Sequence, residues 1–156
     1  MRRLFLGCLL MAFGFGCATS VANTKSTPAP EGTPPQVRVS GFSCENGYGA
    51  DLNQVYVYQG TTADGRPYYR GETRTDRYFY YDERCADDTP DPRWLVGGKP
   101  DTTRTSDLNP NDGEGCENDF SFGTDVREPI MGTHKTAWLW CGDQGSRGRS
   151  ITLSAE

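Results

Sequence analysis

The sequence predicts an all-β fold: a single small antiparallel meander, sandwich or partly closed barrel, stapled by disulfides and carrying long loops. Three observations predict it. The 156 residues include 19 Gly and 10 Pro while apolar residues make up only 35 %, a balance that suits turns and short strands better than a helical bundle. The 8 Tyr, 7 Phe and 3 Trp supply β-favouring rings for one core. No stretch carries the apolar period of a helix of three turns, and no internal repeat stands out.

The chain opens with Arg2 and Arg3 before an apolar run, Leu4 to Phe15, and then small residues. This is the pattern of an export signal over residues 1–22, too short to cross a hydrocarbon core of ~30 Å as a helix. Two endings stay open. Ser20-Val21-Ala22 is a small-x-small cleavage site, whereas Gly16-Cys17 resembles the end of a lipobox in which Cys17 is acylated. Gly14 stands where a lipobox has a larger apolar residue. The expected location is therefore secreted or cell envelope, with no transmembrane helix and with membrane contact only through a lipid on Cys17. Residues 23–36 are rich in Thr, Pro and Ala and read as a linker.

One β domain is expected over 37–156. Val37-Arg38-Val39 alternates as a first strand, and Gln54–Gln59 is a second, stopped by Gly60. The turn Ala63-Asp64-Gly65 leads into Arg66–Arg70, and Arg77–Asp82 and Arg93–Val96 follow. Gly97–Asp119 has the polar composition of an exposed loop. Phe120–Phe122, Thr136–Cys141 and Ser150–Ser154 complete the set.

Beyond the leader lie Cys44, Cys85, Cys116 and Cys141, with no C-x-x-C and no zinc-ligand spacing. An even set at wide spacing in an exported chain reads as two disulfides. In a meander whose first and last strands meet, odd strands end at one rim and even strands at the other. Cys44 and Cys141 then share a rim. Cys85 lies at the opposite rim, beyond the ~7 Å between Cα atoms that a disulfide tolerates. The expected bridges are Cys44–Cys141 and Cys85–Cys116, with Cys44–Cys85 and Cys116–Cys141 as the alternative.

Four motifs occur in order: Asn53-Gln54-Val55-Tyr56, Gly65-Arg66-Pro67-Tyr68-Tyr69, Tyr78-Phe79-Tyr80-Tyr81 and Arg93-Trp94-Leu95-Val96. They resemble a small β repeat of extracellular proteins from algae, other protists and some bacteria. Its pattern is N-G-x-Y, G-R-P-x-Y, a Y-L-Y-Y-like strand, W-x-[IV] and a closing tryptophan strand, here Ala137–Cys141. The chain departs from it at Gln54, where the repeat prefers Gly, and adds four cysteines. The resemblance implies a fold and no activity.

A formal charge of −5 argues against a partner with a phosphate backbone, so no nucleic acid is expected. There is no G-x-S-x-G, no Gly-rich phosphate loop and no H-E-x-x-H, and no cofactor is expected. The lone His134 falls in Gly132-Thr133-His134-Lys135, which reads as a turn and brings no partner nucleophile. Carboxylates that could serve a hydrolase are Asp82-Glu83, Asp87-Asp88 and Asp112-Glu114, most of them in runs of solvated loop charge. Asp107–Gly113 has alternating oxygen donors but fails as an EF-hand loop: its Gly comes one residue late and Asn118 stands at the twelfth position.

The aromatics carry the remaining signal. If Phe79 and Tyr81 face the core, alternation points Tyr78 and Tyr80 outward. A turn near Arg74 then pairs Tyr69 with Phe79, Tyr68 with Tyr80 and Arg70 with Tyr78. Tyr68, Arg70, Tyr78 and Tyr80 are thus expected together on the outer face, as a stacking platform for a glycan or a surface protein. The leading expectation is a non-catalytic secreted or envelope-anchored module. The alternative is a small secreted hydrolase using a carboxylate pair.

Overall fold

The computed structural model describes residues 28–42, 44, 49–85, 91–109, 118–123, 126, 128–135, 138, 139, 141 and 148–156. The leader, Cys17, Cys116, Asp87, Asp88, Asp112 and Glu114 lie outside these residues.

The strands are β1 (Gln36–Ser40), β2 (Val55–Thr61), β3 (Pro67–Gly71), β4 (Tyr78–Asp82), β5 (Arg93–Gly97), β6 (Phe120–Gly123), β7 (Gly132–Lys135), β8 (Trp138–Leu139) and β9 (Ser150–Ala155). They form one sheet in the order β7-β9-β1-β2-β3-β4-β5-β6-β8, with every ladder antiparallel. β1 to β6 are the expected meander, and β1 pairs with β9 through Val39 and Leu153. The two edge segments, β7 and β8, are neighbours in sequence, so the sheet comes round on itself as a nearly closed barrel. Across that seam the ring of His134 on β7 stacks on Phe122 of β6, with centroids 4.6 Å apart.

Alternation decides what fills the barrel. Val37, Val39, Tyr56, Tyr58, Tyr69, Phe79, Tyr81, Trp94, Val96, Phe120, Phe122, Ile151 and Leu153 share the inner cluster. Phe79 sits at its middle, its centroid 5.0 to 6.5 Å from those of Tyr56, Tyr69, Trp94 and Phe122. Offset and edge contacts at such distances add to the burial of the rings themselves.

The two ends are closed differently. Where β1 begins, the Pro35 carbonyl accepts the Tyr58 N–H, Ala29 packs on the core, and Thr33 donates to Glu128. Residues 28–35, linker by composition, thus lie against the barrel. Where β1 ends, Phe42, Leu52 and the Cys44–Cys141 disulfide fill the opening. The Cα atoms of that bridge are 5.6 Å apart, inside the usual range. Cys85 is also disulfide-bonded; its expected partner, Cys116, lies outside the described residues.

Two expectations need correction. Gly132–Lys135 is not a turn but β7, paired with β9 from Gly132↔Leu153 to Lys135↔Ser150. The sequence hides it because its inward residues are a glycine and a histidine, so no apolar alternation marks the strand. Nor is the whole stretch after β5 a free loop. Leu108, the one large apolar residue near its middle, is fully buried on the outer face of the sheet beside Tyr80 and Leu95.

Candidate functional site

The hairpin of β3 and β4 has the register Tyr68↔Tyr80, Tyr69↔Phe79 and Arg70↔Tyr78. Tyr69 and Phe79 enter the barrel, so Tyr68, Arg70, Tyr78 and Tyr80 lie on its outer face. The face is not uniformly open. Tyr80 is only 1 % exposed, closed in by Leu95, Cys85 and Leu108, and Tyr68 and Tyr78 pack against that cluster half-buried. The expectation of an exposed Tyr80 is therefore corrected. Alternation chose its side of the sheet, but the returning segment that covers it comes from far along the chain.

Asp82 holds that segment down. Its carboxylate accepts the N–H groups of Arg84 at 3.0 Å, Asp107 at 2.9 Å and Leu108 at 2.7 Å. The Asp101 N–H donates to the Leu108 carbonyl at 2.7 Å, and Arg104 pairs with Asp107 at 2.7 Å. Burial pushes the Asp82 carboxyl above the ordinary carboxylate range, against the three N–H donors that favour its charge. With its oxygens accepting from three backbone N–H groups, Asp82 anchors the segment to the sheet. Glu83 beside it is exposed.

What stays open on this face is a smaller group. The rings of Tyr68 and Tyr78 lie 6.5 Å apart at 31°. The exposed Arg70 holds its guanidinium 6.0 Å from the Tyr78 centroid, and its Nε donates to the Thr75 carbonyl at 2.7 Å. That bond fixes the arginine beside the ring. Gly60, at φ 154° where β2 shifts register against β3, lets the Tyr68 ring lie across the strand; a Cβ there would stand 3.2 Å from that ring.

The same hairpin builds a second concavity at the disulfide end of the barrel. A pocket of about 390 Å³ is lined by Gly49, Ala50, Asp51, Leu52, Arg74, Arg77 and Asp119. One wall is the 3₁₀ turn Ala50–Leu52. It begins at Gly49, whose φ of 76° and close approach to the Phe42 ring leave no room for a Cβ. The other wall is the β3–β4 turn, clamped by Gln54, whose Oε1 accepts the N–H groups of Thr73 and Arg74, each at 2.8 Å. Arg74 pairs with Asp51 and Asp76, and Arg77 with Asp76 and Asp119. Burial raises the Asp119 carboxyl despite Arg77, while the exposed Asp76 is lowered to about 2 chiefly by its bond to Arg74.

Sequence reading missed this pocket. The alternating charges Glu72, Arg74, Asp76 and Arg77 in one turn were the available signal, but Asp51 and Asp119 arrive from distant segments. Among the described residues no three His, Cys, Asp or Glu are grouped to hold a metal, and no helix is long and apolar enough to cross a membrane. Of the candidate calcium loop, Asp107 pairs with Arg104 and lends its N–H to Asp82; residues 110–117 lie outside the described part. Comparison with known protein families, curated proteins and solved structures finds no match.

Proposed function

We propose that this chain is an exported, non-catalytic β module that binds glycan through the open part of the outer β3–β4 face, formed by Tyr68, Arg70 and Tyr78. The observation that carries the reading is the half-exposed ring pair, 6.5 Å between centroids, with a fixed guanidinium beside it. Flat rings take the apolar faces of sugars, and the arginine supplies donors for hydroxyl or carboxylate groups. Export is supported by the leader pattern and by a disulfide-bonded core, which suits an oxidising compartment. The test is a glycan screen with the purified domain, run beside Tyr78→Ala. Glycan capture that Tyr78→Ala loses supports the reading, and a screen that yields only protein partners redirects it to a protein-binding surface.

A second reading, a small hydrolase, is favoured by one observation: Asp51 and Asp119 line the same pocket and burial raises the Asp119 carboxyl. Against it, each carboxylate is already paired with an arginine. Turnover of glycoside substrates by the wild type, lost in Asp119→Asn, would establish it.

A further inference from the structure

We infer that the pocket between the 3₁₀ turn and the β3–β4 turn is a binding site of its own, for a single neutral sugar unit held through adjacent hydroxyls. The pocket, at about 390 Å³, falls within the ordinary span of small-ligand sites. Its charge pattern selects the ligand. Two guanidiniums, Arg74 and Arg77, face two carboxylates, Asp51 and Asp119, so the lining carries no net charge. An anion entering there meets the aspartates, and a cation meets the arginines. A vicinal diol meets both well, since each hydroxyl donates to a carboxylate oxygen while accepting from a guanidinium N–H.

The polar groups are also held in place before any ligand arrives. Gln54 pins the turn through the Thr73 and Arg74 N–H groups. Arg74 is braced on two sides by Asp51 and Asp76, and Arg77 on two sides by Asp76 and Asp119. Fixed donors lose little freedom on binding, which favours a weakly anchored ligand such as a sugar. Asp119 adds to this, because a carboxylate that burial leaves poorly solvated gains from each further donor. Both this pocket and the outer ring pair sit on one hairpin, but the inference rests on the pocket alone.

The experiment is a nuclear magnetic resonance titration of the folded domain with methyl glucoside, methyl galactoside and methyl mannoside, watching the Nε–H signals of Arg74 and Arg77. The expected result is saturable movement of both signals with at least one hexoside. Asp119→Asn should weaken it by about tenfold or more. Because that variant also breaks one of the two ion pairs of Arg77, Ala50→Phe serves as a second, filling the pocket from an exposed wall position without removing an ion pair. It should abolish the movement while the melting temperature holds. Tyr78→Ala should leave it unchanged, so a failure of the ring-face reading is seen separately. No saturable movement with any of the three hexosides, or movement that persists in Ala50→Phe, overturns the inference. So does binding of the zwitterion glycine betaine where the hexosides are silent.

Discussion

The β3–β4 hairpin has two faces built from the same residue types, and they behave differently. Inside, Tyr69, Phe79 and Tyr81 are buried by rings from neighbouring strands, Trp94 and Phe122 among them. Outside, Tyr80 is buried as deeply, yet its cover includes a leucine from a polar segment tied down through Asp82. Tyr68 and Tyr78, one step along, keep part of their surface. The inner face is closed by the sheet's own curvature; on the outer face the described segment around Leu108 covers Tyr80 and leaves Tyr68 and Tyr78 half-buried. The candidate binding surface is formed by those two half-buried rings and Arg70.

Breaking the inner face should cost most. Phe79→Ala removes the ring at the centre of the cluster and is expected to lose about 3–5 kcal/mol, read by denaturant unfolding. Tyr80→Ala tests the covered half of the outer face. It should lose roughly 2–4 kcal/mol, close to an inner-face residue, because Tyr80 is buried against Leu95 and Leu108. A loss below about 0.5 kcal/mol, the surface norm, would mean that the loop does not cover it.

Asp82→Asn separates the cover from the sheet beneath. An amide cannot accept from all three N–H groups, so about 1–3 kcal/mol should be lost. Hydrogen exchange at the Leu108 amide should quicken while that of the β4 amides holds. Acidity sharpens the same point. The folded-state value of Asp82 lies above the ordinary carboxylate range, so the folded protein holds this proton more tightly than the unfolded chain does. Its favourable contribution is full below the ordinary range and is lost as pH rises through the raised value. The melting-temperature gap between wild type and Asp82→Asn should therefore widen as pH falls through that window. Tyr78→Ala, on the open half, should cost the least, about 1 kcal/mol or less.

These two faces also mark how far the sequence was legible. Alternation in Tyr78-Phe79-Tyr80-Tyr81, with a turn near Arg74, fixed the hairpin register, and the meander argument placed Cys44 beside Cys141. Both follow from local geometry and chain direction. What stayed hidden depends on segments far apart in the chain: Leu108 over Tyr80, and Asp51 and Asp119 beside Arg74 and Arg77. β7 was hidden for another reason. Its inner partner for Phe122 is His134, a polar ring doing the packing of an apolar one.

The proposed glycan contact lies on the open part of the outer face, and not on the covered part. It is tested most directly by titrating the folded domain with the strongest glycan from a screen, comparing wild type with Arg70→Ala and Tyr78→Ala. Both variants are expected to keep the wild-type fold and bind about tenfold more weakly or worse, which corresponds to about 1.4 kcal/mol or more. Wild-type affinity in both variants, with the fold intact, would contradict it.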